Sequence, residues 1–140
     1  MRRYAVYKPK LEKDIRCPLE YGMDVFGGKW NSRIICVLSF KKRLRYGELR
    51  AELFDVTDAV LAAALKDLLK NGLIERTQYN EIPPHVEYAL SERGKTAVPI
   101  LRSVCRWAGL FYKDGGKKGC GKTPLTQCQK CDYTEVRRDE

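Results

Sequence analysis

The stretch VTDAVLAAALKDLLKN, residues 56–71, decides how the rest of the chain is arranged. Its apolar residues recur at intervals of three and four, which places one apolar stripe along a helix. Thr57 is a typical N-cap residue, and Asp58 in the first turn favours the positive end of the helix dipole. Gly72 follows at the point where a helix ends in the left-handed conformation. We therefore predict a capped amphipathic helix over this stretch.

The flanking segments predict a second helix and a two-stranded ribbon. Upstream, YGELRAELF indicates a short helix over residues 46–53, and only a few residues remain for a turn. Downstream, residues 73–79 and 86–90 alternate in polarity around a loop that contains Pro83 and Pro84, which cannot donate to a strand ladder. This order is typical of a winged helix-turn-helix, an α+β and mainly helical fold, with residues 56–71 as its recognition helix.

Further helices are expected on both sides of this unit. Residues 19–26 predict a helix that ends at a glycine pair, and residues 30–38 predict the next one, followed by a turn at residues 41–45. Ser91 is positioned to cap a final helix that extends to residue 112, and Pro99 should kink or restart it.

The apolar stripe of this final helix is wider than one small core requires. It contains Val98, Leu101, Val104, Trp107 and Ala108. A stripe of this width favours a dimer face, so we predict dimerisation through the terminal helices.

The charge of the chain favours an anionic partner. The 140 residues carry a net charge of +9, with +4 on residues 1–16, +3 on residues 17–112 and +2 on residues 113–140. The KKRLR run at residues 41–45 is equally compatible with nucleic-acid binding and with a solvated turn. No apolar run approaches the roughly 20 residues of a membrane span. The opening MRRYAVYKPK lacks the apolar region of a signal peptide, so we expect a cytoplasmic protein that does not enter membranes.

Short motifs follow one another in a fixed order between residues 17 and 94. They are CP at 17–18, GGKW at 27–30, YGEL at 46–49, LxxxLxxL at 61–68, NGLI at 71–74, PPHVEYAL at 83–90 and Gly94. This ordered set resembles the motifs of the HxlR family. One motif alone would be weak, but their order and spacing together are specific. The resemblance implies a winged-helix transcription regulator that binds an inverted repeat of double-stranded DNA as a homodimer. The resemblance covers about residues 17–112, which we interpret as a DNA-binding domain with its dimerisation helix. A basic arm (1–16) and a cysteine-containing tail (113–140) lie outside it.

Candidate DNA contacts follow from this arrangement. Positions suited to phosphate are Lys29, Lys41, Lys42, Arg43, Arg45, Arg50 and Arg76, and the outward face of the recognition helix is Thr57, Asp58, Ala59, Ala62, Ala63 and Lys66. An alanine can contact a thymine methyl group but cannot donate a hydrogen bond to a base. We therefore expect modest direct readout, with Lys66 as the long cation on the reading face and DNA shape as a further determinant.

His85 lies in the predicted wing, where the family commonly has arginine. One interpretation is an exposed loop histidine without a role. The other is a DNA contact that forms when the ring is protonated, below about pH 6.5.

The cysteines fall into three groups. Cys36 and Cys105 lie on apolar helical stripes, where core packing is expected. Cys17 stands at a helix start beside Arg16, a setting that raises thiol reactivity. Some relatives use a cysteine here as a thiol switch, whereas burial against the dimer helices is the alternative.

The tail spaces Cys120, Cys128 and Cys131 as C-x7-C-x2-C. This spacing suits zinc or a redox pair, although a closed zinc site needs a fourth ligand, and an unligated tail is the alternative. No cofactor is required by the rest of the sequence.

Two other classes of protein compete with the regulator. A small thiol oxidoreductase would use Cys128 and Cys131, but the chain has one histidine and lacks a βαβ context around the CxxC. A winged helix converted to a protein-interaction module would suit the alanine-rich outward face, and retention on DNA would exclude it. We predict a regulator without enzymatic activity.

Overall fold

The computed structural model describes residues 14–109, which form five helices and three strands. In chain order these are α1 Pro18–Val25, α2 Gly28–Lys41, β1 Arg43–Arg45, α3 Tyr46–Leu53, α4 Asp58–Lys70, β2 Ile74–Tyr79, β3 His85–Leu90 and α5 Glu92–Gly109. The predicted helix-turn-helix is α3 and α4, and the predicted ribbon is β2 and β3. The winged-helix prediction, α+β and mainly helical, is confirmed. The arm up to residue 13 and the tail from residue 110 lie outside the described residues.

Both predicted caps of α4 are present. The Thr57 side chain accepts a hydrogen bond from the Val60 backbone N–H at 3.3 Å. At the other end Gly72 has a φ of 73°, and its N–H donates to the Leu69 carbonyl. The following N–H of Leu73 donates to the Leu68 carbonyl, which completes a Schellman motif. Local residues therefore fix where α4 begins and ends.

The buried stripe of α4 anchors the core. Its members Leu61, Ala64, Leu65 and Leu68 are buried and belong to one cluster with residues of α2, α3 and the sheet. Asn31 is the buried polar residue of the described chain, and its side-chain amide donates to Asp67 at 2.8 Å. A second contact of that amide, 3.4 Å long, reaches the Val25 carbonyl. Asn31 thus ties the end of α1 and the start of α2 to α4.

The predicted turn at residues 41–45 is wrong. Lys41 is the last residue of α2, Lys42 redirects the chain with a φ of 65°, and β1 follows. The sheet is antiparallel with the order β1-β3-β2, so Leu44 lies opposite Tyr88. The segment is extended because β3 has a second edge whose backbone groups pair with it.

Helix α5 begins as predicted but does not restart at proline. Ser91 accepts a hydrogen bond from the Gly94 N–H at 3.0 Å and donates to the Gly72 carbonyl at 2.6 Å. The helix then continues without interruption through Pro99 to Gly109. Val98 and Leu101 pack against the core on either side of the proline, and this packing offsets the missing backbone donor. Helix α2, predicted over residues 30–38, is longer than predicted.

Candidate nucleic-acid interface

The helix-turn-helix presents the predicted reading face to solvent. Thr57, Asp58, Ala59, Ala62, Ala63 and Lys66 are all exposed on or just before α4. The opposite side of the helix is the buried stripe, so the two faces are separated as the 3.6-residue period requires. Of these residues, Thr57 is already engaged as the N-cap.

Three side chains join α3 to the start of α4. Tyr46 donates its hydroxyl to the Asp58 carboxylate at 3.0 Å, and Arg50 lies 3.2 Å from the same oxygen. Partial burial and the hydrogen bond to Asp58 raise the pKa of Tyr46 above its usual value. The hydroxyl therefore stays protonated and remains a donor at neutral pH. Arg50 and Asp58 balance each other's charge, which reduces the repulsion that Asp58 alone would exert on phosphate.

The candidate phosphate contacts divide by whether a carboxylate lies beside them. Lys41 is 3.7 Å from Glu52, and Arg43 is 3.8 Å from Glu87. The ammonium of Lys29 lies 4.9 Å from the centre of the Trp30 ring. The described residues place no carboxylate within ion-pair distance of four other cations, which are Lys42, Arg45, Lys66 and Arg76. These four are the cations most available to an external anion.

The sheet does not gather its arginines on one face. Arg45, Glu87 and Thr77 occupy one row across the three strands. Arg76 belongs to the neighbouring row with Tyr88, and adjacent rows point to opposite faces of a sheet. Arg76 is therefore separated from Arg43 and Arg45, although it is exposed.

His85 is not an exposed loop residue, so that interpretation is wrong. It is the first residue of β3, its side chain is 14% exposed, and its ring stacks on Tyr79 with 4.7 Å between centroids. Its two nitrogens face carboxylates, with Nδ1 3.6 Å from Glu81 and Nε2 3.2 Å from Glu87. The histidine thus lies within an acidic cluster of the wing.

The described cysteines differ in exposure. Cys17 is exposed, and it is the N-cap residue of α1, which confirms its predicted position at a helix start. The neighbouring Arg16 guanidinium forms an ion pair with Asp14 at 2.6 Å. Because its charge is already paired, the local environment of the Cys17 thiol is determined by the start of α1 and not by this cation. Cys36 and Cys105 are half-buried and outside the core cluster, which corrects the expectation of core packing. Both line a cavity between α2 and α5.

Sequence reasoning missed Tyr46, Glu81 and Glu87. Tyr46 and Arg50 are four residues apart on α3, so their shared face was a usable signal. The two glutamates approach His85 only when the wing is formed, and no local pattern indicates that.

Residues 14–109 contain no group of three or more side chains suited to hold a metal ion. The predicted zinc ligands Cys120, Cys128 and Cys131 lie outside these residues, and that site stays a prediction. Within the same range, every helix is too short or too polar to cross a bilayer.

Helix, turn, helix and antiparallel wing, with exposed cations around α4, define a winged-helix protein. The sequence model of the HxlR-like helix-turn-helix family matches residues 25–115. The transcriptional regulator YdzF of Bacillus subtilis is 40% identical over 92 residues, which are 66% of this chain and 84% of YdzF. This chain belongs to the HxlR-like family of helix-turn-helix transcriptional regulators.

Solved structures show the same fold. The reduced form of the regulator YodB from B. subtilis superposes with a TM-score of 0.64 at 30% identity, covering 72% of this chain and 99% of YodB. The oxidised form of the redox regulator HypR superposes with a TM-score of 0.62 at 33% identity, covering 70% of this chain and 100% of HypR.

Proposed function

We propose that this chain is a homodimeric, sequence-specific DNA-binding regulator that acts in the cytoplasm on an inverted-repeat operator. The observation that carries the proposal is the exposed face of α4, with Lys66 on it and Lys42, Arg45 and Arg76 elsewhere on the surface without carboxylate partners in the described chain. Such cations neutralise the phosphates of DNA, and the DNA then releases the counterions condensed on it, which favours binding. The relatives named as transcriptional regulators add independent support.

The reading face favours apolar contacts over hydrogen bonds. Ala59, Ala62 and Ala63 suit thymine methyl groups in the major groove, and Asp58 is held by Arg50 and Tyr46. Lys66 then becomes the long donor that reaches base edges, while sequence-dependent DNA shape supplies further specificity.

Selection of binding duplexes from a random pool tests the proposal. We expect an inverted repeat whose half-sites are about one helical turn apart, roughly 34 Å. A single unrepeated half-site would contradict the dimer. Failure to retain any duplex at low salt would contradict DNA binding and would favour the protein-interaction module.

Two lysine substitutions should separate base contacts from backbone contacts. Lys66→Ala should weaken binding to the selected operator by about 1–3 kcal/mol and change binding to random DNA much less. Lys42→Ala should weaken both equally and flatten the slope of log K against log salt by about 0.9. Both variants can be measured by fluorescence anisotropy across a salt series.

Lys95→Ala provides the matched control for these variants. Lys95 is on α5 and is paired with Glu92 at 3.2 Å, so its loss removes the same charge away from α4. Equal losses on operator and random DNA for Lys66→Ala would reassign Lys66 to a phosphate contact.

We further propose that Cys17 makes the regulator responsive to thiol oxidants. Its exposure at the start of α1 supports this, since an oxidant in solution can reach the thiol there. The similarity to the redox regulator HypR adds to it.

Native alkylation followed by peptide mass spectrometry should rank the cysteines. We expect Cys17 to react at least about tenfold faster than Cys36 or Cys105, because these two are half-buried. Oxidant should change the DNA affinity of the natural chain and leave that of Cys17→Ser unchanged. Faster reaction of Cys36 than of Cys17 would end the switch hypothesis.

A further inference from the structure

Two cavities meet along α5. The larger, about 580 Å³, lies between α5, the end of α2 and the sheet. The smaller, about 150 Å³, lies between α2 and α5 alone. Ser39, Val98 and Arg102 line both, so the two spaces adjoin across these residues. Together they fall in the size range of small-molecule sites, about 300–1,000 Å³.

The larger cavity is cationic. Its lining contains the four cations Lys42, Arg43, Lys95 and Arg102 and the two acids Glu75 and Glu92. Glu92 is engaged by Lys95 at 3.2 Å, and Arg43 is near Glu87 at 3.8 Å. No carboxylate of residues 14–109, Glu75 included, lies within ion-pair distance of Lys42 or Arg102.

Arg102 carries a buried donor without an acceptor. Its Nε is shielded from solvent and makes no hydrogen bond in the described chain. That Nε does not face the two cavities, because water would reach an atom on a cavity wall. The Arg102 side chain nevertheless lines both cavities, and a guanidinium edge matches the two oxygens of a carboxylate.

The smaller cavity is apolar on most of its walls. Ile35, Cys36 and Phe40 of α2 and Leu101, Val104 and Cys105 of α5 are among the residues that line it. A cavity of about this volume accommodates a benzene-sized group in other proteins.

We propose that these two cavities form one binding site for a small carboxylate with an aromatic or similarly compact apolar body. The carboxylate accepts from Arg102 and is attracted by Lys42, while the apolar body occupies the space between α2 and α5. A neutral ligand gives the cations of the larger cavity no counter-charge, and a simple anion makes no contact with the apolar walls of the smaller cavity. The site therefore requires both parts of the ligand.

Titration of the full chain with three probes tests this requirement. Benzoate carries both parts, benzyl alcohol lacks the charge, and acetate lacks the apolar body. We expect saturable binding of benzoate and binding at least about tenfold weaker for the other two, measured by calorimetry. Amide shifts in NMR spectra should map to the end of α2 and to residues 98–105. The protein alone is used, so the result is independent of DNA binding.

Substitution of Arg102 provides the decisive comparison. Arg102→Met should raise the Kd for benzoate at least about tenfold, and Arg102→Lys should restore part of the affinity. Arg106→Met is the matched control, because Arg106 is four residues further along α5, contacts Ser103 at 3.1 Å and lines neither cavity. Absence of benzoate binding, equal binding of benzyl alcohol, or equal losses for Arg102→Met and Arg106→Met would overturn the proposal. Thermal melting of each variant establishes that it is folded before binding is compared.

Discussion

Replacing Trp107 with glutamate is expected to dissociate the proposed homodimer and to abolish tight binding to a two-half-site operator. Trp107 is 67% exposed, and it shares one face of α5 with Ile100 and Val104, which are also exposed. Helix α1 adds Leu19 and Met23, which are exposed as well. Apolar side chains exposed at helical spacing on two helices fit an interface with a second copy of the chain.

The expected effect is large because twofold symmetry places each substitution in the interface twice. An uncompensated carboxylate in an apolar interface costs several kcal/mol, so the dimer Kd should rise by about a thousandfold or more. Sedimentation equilibrium at micromolar protein concentration measures this dimer Kd. Trp107→Phe keeps most of the apolar area, and Lys95→Glu places a carboxylate on the polar side of α5. Both controls should remain dimeric. A natural chain that is monomeric at this concentration would contradict the proposed assembly.

The sequence predicts those parts of the fold that depend on neighbouring residues. The cap at Thr57, the left-handed Gly72 and the cap at Ser91 each act within a few positions, and all three are confirmed. Periodicity likewise separates the buried and exposed faces of α4.

The parts that sequence reasoning missed depend on distant partners. Strand β1 has three residues, too few to show an alternating pattern, and it exists because Leu44 and its neighbours pair with β3. Asn31 is buried because Asp67, far along the chain, accepts its amide hydrogen bond. Pro99 remains within α5 because tertiary packing outweighs local preference.

The candidate DNA interface also combines features that neighbouring residues determine with features that depend on distant partners. Helical period places Arg50 and Asp58 on the surface, but only the folded structure pairs them. His85 becomes part of an acidic cluster only when the wing brings Glu81 and Glu87 to its ring. Local sequence therefore identifies the exposed side chains, whereas tertiary structure determines which charges remain available to DNA.

Gly94→Ala is expected to lower the free energy of unfolding by about 3 kcal/mol or more, since Gly94 has no room for a side chain. A Cβ there would overlap the Leu73 carbonyl oxygen and lie 3.2 Å from Cδ2 of Leu90. The backbone cannot easily retreat, because the Leu73 carbonyl accepts from the Ser91 N–H at 3.1 Å and Gly94 itself donates to the Ser91 cap. For a domain of this size the melting temperature should fall by roughly 10–20 °C, measured by circular dichroism. Gly22→Ala is the matched control, because Gly22 lies inside α1 and, apart from the adjacent backbone of that helix, no heavy atom of residues 14–109 comes within 4 Å of the added Cβ. That variant should be unchanged or more stable by about 0.5–1 kcal/mol. Equal melting of Gly94→Ala and the natural chain would show that α5 does not pack this closely against Leu73.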